Sequence, residues 1–216
     1  MLRRIKKEII QYGHLLLERG LVAGSWGNIS FRAGDLVVIT SSGSNYLTLR
    51  PRDLVVIDMQ GNVIEGKRQP SSELACHLSV YRAYDEAQAV IHTHSIYASA
   101  CATARESIPA IIEDMAQIVG SRVNVAEYAL LGTQELADNC VAAMQDNSAI
   151  LMANHGVLTR GHNLQEAFIA AEIVEKTAQI YILAKQLGNI TVLDEQDVEF
   201  MRKGYLDKYR RLQTGE

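Results

Sequence analysis

The sequence is poor in proline, cysteine and aromatic residues, and it has no long apolar run. Its 216 residues include three prolines, three cysteines and 6% aromatic residues. Because prolines are few and no low-complexity segment or linker is evident, we predict one domain over residues 1–216. No apolar run approaches the roughly 20 residues of a transmembrane helix. The basic N-terminus continues in an amphipathic pattern, which does not indicate a signal peptide.

An excess of charge of one sign is also missing. The net charge is −4, so bulk charge gives no reason to expect nucleic acid or a membrane as a partner. The three cysteines, Cys76, Cys101 and Cys140, lie far apart and contain no Cys-x-x-Cys pair. This pattern is typical of reduced thiols that pack in a core, and it predicts a cytoplasmic protein. The apolar content of 48% and charged content of 21% are those of a globular enzyme.

Two histidines lie at the end of an apolar run in residues 89–95. Successive side chains of a strand point to opposite faces, so His92 and His94 share one face. Neutral imidazole is a common metal ligand, and a His-x-His pair at a strand end needs one or two further ligands. The pair alone is a weak motif, and single histidines at strand ends are often ordinary hydrogen-bonded residues.

A third histidine follows a second apolar run, in residues 149–155. His155 is followed by Gly156, which leaves space for a metal or a substrate. With His92 and His94 it predicts an open three-histidine metal site. His77, four residues after Glu73 on a predicted helix, is a competing ligand, although packing against the sheet explains it as well. His14 and His162 are interpreted as ordinary residues.

Glu73 is the carboxylate that we pair with this metal. Ser71 or Ser72 is predicted to cap a helix that runs to about Tyr84, which places Glu73 in its first turn. A structural role, compensation of the helix dipole, would explain that position. A carboxylate beside a divalent metal can also be a ligand at rest and a base when substrate displaces it.

Three small polar turns in the first 72 residues predict a phosphate pocket. They offer hydroxyl, amide and backbone N–H donors rather than lysine or arginine. Each turn alone would be ordinary, and none forms a Walker or Gly-x-Gly-x-x-Gly motif. The turn residues proposed to bind phosphate are Asn28, Ser42, Gly43, Ser71 and Ser72.

Periodicity predicts a sheet with helices on its faces. Helices are expected over residues 3–19, 96–104, 134–144, 163–187 and 194–209, with Thr133 capping the third of these. Strands are expected after the first polar turn, over residues 36–40 and 54–58, at 63–64 and in the two histidine-terminated runs. Several connections resemble hairpins, so the sheet should be mixed. Residues 108–130 show no clear period.

Five ordered motifs resemble the class II sugar-phosphate aldolases. This superfamily includes the L-fuculose-1-phosphate aldolases, to which the chain is also similar in length, the L-ribulose-5-phosphate 4-epimerases and the methylthioribulose-1-phosphate dehydratases. The motifs are Gly-Asn-Ile-Ser at 27–30, Thr-Ser-Ser-Gly at 40–43, Pro-Ser-Ser-Glu at 70–73, His-Thr-His at 92–94 and Asn-His-Gly at 154–156. Together they span most of the chain and specify the superfamily better than the reaction.

The resemblance implies a three-layer α/β/α domain with a mixed, largely antiparallel sheet, in a homotetramer with sites at subunit interfaces. It implies Zn²⁺ as the cofactor and a sugar phosphate as the substrate. Glu73 would act as acid and base beside the metal, and the turn residues would hold the phosphate. The implied reaction is cleavage of a ketose or deoxyketose 1-phosphate, of the L-fuculose 1-phosphate type, to dihydroxyacetone phosphate and an aldehyde through a metal-stabilised enediolate. The implied metal ligands are His92, His94 and His155, with Glu73 close by.

Two positions bear on the subfamily. The resemblance places a tyrosine after the segment that here reads Ser-Ile-Pro-Ala at 107–110, but this chain has Glu113. Glu113 would be a proton donor if an apolar wall raised its pKa, or a plain surface residue. Tyr209 matches a C-terminal tyrosine that reaches in from a neighbouring subunit, with Tyr205 as a competitor. The alternatives on this scaffold are an epimerase, a dehydratase and a non-enzymatic adducin-type head.

Overall fold

The computed structural model describes residues 1–209, and for Tyr209 the backbone only. Within this range the helices are α1 (Leu2–Glu18), α2 (Leu74–Ala83), α3 (Ile96–Ala104), α4 (Glu113–Ile118), α5 (Gln134–Met144), α6 (Leu164–Leu187) and α7 (Glu195–Gly204). The strands are β1 (Asn28–Ala33), β2 (Leu36–Ile39), β3 (Val55–Asp58), β4 (Val63–Glu65), β5 (Ala89–Thr93), β6 (Ile108–Pro109), β7 (Arg122–Ala126), β8 (Ala149–Met152) and β9 (Gly156–Gly161). None of these helices is long and apolar enough to cross a membrane.

Three helices, α5, α6 and α7, begin at a polar residue whose side chain caps the first turn. Thr133 accepts a hydrogen bond from the N–H of Leu136 and caps α5, as predicted. Asn163 caps the 24-residue α6 in the same way, through the N–H of Glu166. The predicted C-terminal helix forms α7 and continues as a π-helical turn over Tyr205–Tyr209.

All nine strands form one sheet, in the order β4-β3-β2-β1-β5-β9-β8-β7-β6. The pair β7–β8 is parallel, and the other neighbouring pairs described here are antiparallel. The sheet is therefore mixed and largely antiparallel, and the predicted fold class is confirmed. Because β5 lies between β1 and β9, the first turn region and the two histidine segments meet in the middle of the sheet.

Helices cover both faces of this sheet, which makes three layers. Alternate residues of the central strands point to opposite faces: Val90 packs with α2 and α5, whereas Ile91 packs with α1 and α6. The same alternation divides Ile150 from Leu151, which packs under α3 and α6. Because these strands are buried on both faces, they read as continuous apolar runs.

The weakly periodic segment over residues 108–130 contains three short elements. The strand β6 has two residues, α4 has six and β7 has five. Such short elements contain too few repeats for a period of 2 or 3.6 to stand out. Tertiary contacts define them instead, since β7 pairs with β8 and α4 packs against α6 and α7.

The three cysteines are free, buried thiols, as predicted. Cys76 and Cys140 pack on the face covered by α2 and α5, and Cys101 packs on the opposite face. Burial raises the pKa of Cys101 to about 11, so it remains a protonated thiol at neutral pH.

We expect Gly13→Ala to destabilise the protein, because Gly13 of α1 touches the buried ring of Tyr46. A Cβ at this position would lie 2.3 Å from Cδ1 of Tyr46. Alanine gains about 1 kcal/mol of helix propensity over glycine, but overpacking in a core costs about 1–3 kcal/mol. The net loss should lower the denaturation midpoint in urea. Gly204→Ala is the matched control, since that helical glycine has open space around it, and it should not destabilise. Equal midpoints for both variants would contradict the prediction.

Candidate functional site

Strand pairing brings the three predicted histidine ligands together. The strand β5 runs antiparallel to β9, with Thr93 opposite Val157, so the end of β5 lies beside the start of β9. The strands β8 and β9 form a hairpin, and His155 lies in the turn between them. His92 and His94 therefore meet His155 across the gap between β5 and β9. In the part of the chain described here, these three residues form the group suited to holding a metal ion.

The ring nitrogens of the three histidines lie close to one another. One nitrogen of each histidine lies within 4.8 Å of the other two. Nε2 of His92 and Nε2 of His94 are 2.7 Å apart. Glu73 joins the cluster, with Oε2 at 3.2 Å from Nε2 of His92 and Oε1 at 2.8 Å from Nε2 of His155.

Hydrogen bonding and burial leave the cluster with lone pairs that face one another. Nδ1 of His92 donates to the carbonyl of Val157 at 2.8 Å, so the lone pair of the neutral ring is on Nε2. Burial lowers the pKa of His92 to about 4 and also lowers the pKa of His94, and it outweighs the attraction of Glu73. Both rings are therefore neutral at pH 7, which is the form that binds metals.

Glu73 is ionised in this setting. Burial alone would raise its pKa, but the attraction of His92 and hydrogen bonds from His155 and Asn28 hold the pKa of Glu73 well below its ordinary value. The Nε2 lone pair of neutral His92 then lies 3.2 Å from the ionised Oε2 of Glu73, so two electron-rich atoms repel each other. A divalent cation relieves that repulsion, and a set of three nitrogens and one oxygen suits zinc-like ions. The residues present therefore fit a divalent metal.

Gly156 keeps the space beside this cluster open. A Cβ on this residue would lie 2.2 Å from the carbonyl oxygen of Thr93 and 3.1 Å from Cε1 of His92. Any side chain here would push β9 away from β5 and displace His92. The small residue predicted to leave room at the site is thus required by the close approach of two strands.

The helix cap predicted at Ser71 or Ser72 is wrong. The helix α2 begins at Leu74, with Glu73 as its N-cap residue and no capping side-chain hydrogen bond. Backbone hydrogen bonds from Ser71 to Thr40 and from Ser42 to Gln69 hold the Ser-Ser turn against the neighbouring turn and outside the helix. Glu73 is consequently turned toward the histidines, and its carboxylate does not serve the helix.

The two serine turns lie side by side and offer hydrogen-bond donors to the same space. A β-bridge joins Ser41 to Pro70. In the described part of the chain, the backbone N–H groups of Gly43 and Ser72 have no protein acceptor. Such N–H groups next to serine hydroxyls are what an anion pocket requires. Arg68 adjoins the turn and donates to Oγ of Ser44 at 3.2 Å.

A cavity of about 220 Å³ joins the turns to the histidine cluster. All five residues predicted to bind phosphate line it, together with Glu73, His94 and His155. Its lining residues are Ser25, Trp26, Gly27, Asn28, Ser41, Ser42, Gly43, Ser71, Ser72, Glu73, His94, Leu131 and His155. The donors of this pocket are hydroxyl, amide and N–H groups, and no lysine or arginine is among these lining residues.

The structure does not bring Glu113 to this cavity. Glu113 is exposed in the first turn of α4 and is not among the lining residues. The side chain of Tyr209 lies outside the described residues. The sequence reasoning missed the two apolar lining residues, Trp26 and Leu131, whose large apolar side chains next to glycine were the available signal.

His77, interpreted from the sequence as a packing residue, is fully buried and makes two polar contacts. Its Nε2 donates to Oδ1 of Asn28, and its Nδ1 lies 2.6 Å from Oγ of Ser30. Asn28 in turn donates to Oε2 of Glu73 at 2.8 Å. His77 therefore contacts the site through Asn28 and does not itself line the cavity.

Fold and site together define the class: a three-layer α/β/α protein with a histidine cluster suited to a metal ion beside a pocket of hydroxyl and N–H donors. The chain belongs to the Class II Aldolase and Adducin N-terminal domain family, whose model matches residues 7–182. The resemblance stated from the five motifs is confirmed.

Similar proteins are named as aldolases. The chain is 39% identical over 207 residues to a 5-deoxy-D-ribulose 1-phosphate aldolase of Bacillus thuringiensis, covering 95% of this chain and 97% of that one. It is 36% identical over 180 residues to a 5-methylthioribulose-1-phosphate/5-deoxyribulose-1-phosphate aldolase of Rhodospirillum rubrum, covering 83% and 81%. A solved L-fuculose 1-phosphate aldolase superposes with a TM-score of 0.91 at 42% identity, covering 94% and 96%. The chain is therefore an enzyme of the lyase class, as predicted.

Proposed function

We propose that this chain is a zinc-dependent aldolase that cleaves a ketose or deoxyketose 1-phosphate to dihydroxyacetone phosphate and an aldehyde. One observation carries the proposal: His94 and His155 of the three-histidine cluster, together with Glu73, line the same cavity as the serine turns. A phosphate at one end and a cation at the other are what this reaction needs. The names of the similar aldolases support the same substrate class.

His92, His94 and His155 would hold the zinc ion, with Glu73 as the adjacent carboxylate. When bound, zinc supplies a Lewis acid that stabilises negative charge on substrate oxygens. The β5–β9 pairing fixes the direction of His92, because its Nδ1 is engaged by the carbonyl of Val157. The rigid strand ends therefore place the charge-stabilising end of the site before substrate arrives.

The serine turns would bind the phosphate. The N–H groups of Gly43 and Ser72 and the hydroxyls of Ser42, Ser71 and Ser72 can donate to phosphate oxygens without a conformational change. Asn28 contributes one amide N–H to Glu73 and lines the cavity as well. Binding at this end holds the scissile carbon–carbon bond next to the histidines.

Glu73 would move the proton. Cleavage leaves the bonding electron pair on the dihydroxyacetone phosphate half, whose carbon then takes up one proton, while the aldehyde half loses its hydroxyl proton. Glu73 lies at the junction between the histidines and the serine turns, and it is 4% exposed, so bulk water does not compete for the transfer. Its carboxylate oxygen is therefore assigned to carry the proton to carbon.

The apolar lining favours an aldehyde half with an apolar end. Trp26 is 63% exposed and its ring centroid lies 5.8 Å from that of His94. Leu131 lines the same cavity. The deoxy and methylthio groups in the names of the similar aldolases are apolar ends of this kind. We therefore propose a deoxyketose or methylthioketose 1-phosphate over a fully hydroxylated one.

We also propose a cytoplasmic homotetramer in which a neighbouring copy completes the site. Glu113 is exposed on its own chain and so is available to a neighbour. The assignments of Glu113 and Tyr209 as catalytic residues stay predictions that depend on that assembly. Sedimentation of the purified protein at several concentrations tests the tetramer, and a stable monomer with full activity would contradict it.

A product assay tests the reaction. The zinc-loaded protein is incubated with 5-deoxyribulose, methylthioribulose and L-fuculose 1-phosphates, and dihydroxyacetone phosphate is coupled to a dehydrogenase. We expect product that a chelator abolishes and that zinc restores. Ribulose 1-phosphate is the matched control for the apolar end and should react more slowly. Bound zinc without any release of dihydroxyacetone phosphate would favour epimerase or dehydratase chemistry at the same site.

A further inference from the structure

Five buried polar side chains lie in one line between β1 and α2. Asn28 and Ser30 are alternate residues of β1. They face three residues spaced four positions apart: Glu73, the N-cap of α2, and His77 and Tyr81 within α2. Two residues of a strand advance about 6.6 Å and four residues of a helix about 6 Å, so the two rows stay in step. We call these side chains the β1–α2 network; they are Asn28, Ser30, Glu73, His77 and Tyr81.

The Glu73 carboxylate lies at one end of the β1–α2 network and can only accept, which sets the donor and acceptor of each further hydrogen bond. The Glu73 carboxylate only accepts, so Asn28 must donate from Nδ2 and present Oδ1 to His77. Nε2 of His77 must then carry a proton, and Nδ1 of the neutral ring must accept from the Ser30 hydroxyl at 2.6 Å. Since the Ser30 proton is used, Tyr81 donates to Ser30 at 2.7 Å.

The charge states of His77 and Tyr81 keep the same donors and acceptors in the β1–α2 network. Burial lowers the pKa of His77 to about 3, although Glu73 attracts a proton to it. Burial also raises the pKa of Tyr81, which stays protonated. Both groups are therefore neutral throughout the range in which an enzyme works: His77 has one donor and one acceptor nitrogen, and the Tyr81 hydroxyl keeps its proton.

We propose that His77 is a positioning residue that fixes the amide of Asn28, so that Nδ2 faces Glu73. This proposal rests on the function proposed above, in which Asn28 and Glu73 serve the phosphate and the proton. Without the His77 donor, the Asn28 amide is held only by its hydrogen bond to Glu73, so its orientation is less restricted. Whenever the amide turns over, Oδ1 faces the carboxylate and Glu73 loses one of its hydrogen bonds.

Two substitutions of His77, one without and one with a hydrogen-bond donor, test whether His77 positions Asn28. His77→Leu removes the donor, and we expect kcat/KM to fall by about 10- to 100-fold, the usual effect of losing a supporting partner. Bound zinc should stay at the wild-type amount, because His92, His94 and His155 are unchanged. His77→Gln places an amide N–H near the position of Nε2, and it should restore most of kcat/KM.

Thermal stability separates positioning from packing. If His77 were purely structural, kcat/KM would fall in each variant in step with its melting temperature, and glutamine would give no specific rescue. That result would overturn the proposal. Where His77→Leu does not fold, Ser30→Ala serves instead, since it removes the donor to Nδ1 and so lets part of the rings carry the proton on Nδ1, where Nε2 no longer donates to Asn28. Its matched control is Ser99→Ala, which removes a buried hydroxyl with no protein partner in residues 1–209. We expect Ser30→Ala to lower kcat/KM and Ser99→Ala to leave it unchanged.

Nitrogen-15 NMR of histidine-labelled protein tests the arrangement without any substrate. The His77 signals are assigned by their absence in His77→Gln. We expect a neutral ring with its proton on Nε2 from about pH 6 to 9, and a mixture of tautomers in Ser30→Ala. A proton on Nδ1, or a charged ring, would overturn the proposal whatever the reaction is. A correct tautomer in a protein that releases no dihydroxyacetone phosphate would instead contradict the proposed function.

Discussion

Replacing His94 with alanine should remove the bound metal and abolish turnover. His94 supplies one of three ring nitrogens that lie within 4.8 Å of one another, and its Nε2 is 2.7 Å from that of His92. Loss of a ligand's supporting partner already costs about 10- to 100-fold in metal affinity, so loss of the ligand itself should cost more. Zinc per chain, measured by mass spectrometry after gel filtration, and release of dihydroxyacetone phosphate should fall together.

The matched control is His14→Ala. His14 is an exposed histidine on α1, outside the cluster. We expect this variant to keep wild-type zinc and wild-type activity. Because His94 is only partly buried and lies outside the core, the His94→Ala chain should remain folded, and circular dichroism verifies this. A folded, zinc-free and fully active His94→Ala enzyme would end the metal hypothesis.

Glu73→Gln should retain the metal but lose most of the activity. Glutamine has the shape of glutamate, and its carbonyl oxygen can still accept the hydrogen bond that Asn28 donates at 2.8 Å. It cannot take up or release a proton at pH 7, however. Loss of a general acid–base group typically costs about 10²- to 10⁴-fold in rate. We expect kcat to fall within this range, with a smaller change in KM because the serine turns are intact.

The outcome for zinc decides between two roles of Glu73. Zinc retained with kcat lost supports proton transfer, whereas zinc lost together with activity would show that Glu73 is mainly a ligand. Near-normal activity would contradict both roles. Glu106→Gln is the control, because Glu106 is an acidic residue that pairs with Lys185 and Tyr181 away from the cavity lining. It should change neither quantity.

Local regularities in the sequence were enough to predict most of the fold. The apolar period and the capping residue Thr133 placed α5, and α3 and α6 lie where their periods predict them. Short-range signals of this kind depend on neighbours within one turn of helix or on alternate residues of a strand. They failed over residues 108–130, where β6 and α4 are too short to show a period and are held by β7, α6 and α7.

The local sequence pattern predicted the histidine ligands, but it did not predict which residues surround them. Alternation along a strand predicts that His92 and His94 share a face, whichever sheet the strand joins. The pairing of β1 with β5, which puts Asn28 opposite His92, depends on residues 64 positions apart in the chain. The orientation of Glu73 also needed the tertiary structure, because the bridge between Ser41 and Pro70 decides where α2 begins.

By itself, the sequence determined the secondary structure of the long elements, the likeness to one family and the residue types of the site. Only the tertiary structure decided which partner each polar group has: His77 on Asn28, Asn28 on Glu73, and Glu73 between two histidines. The physical reason is that a buried polar group must find its partner wherever packing places one. Those partners lie tens of residues away along the chain, beyond the reach of any local period.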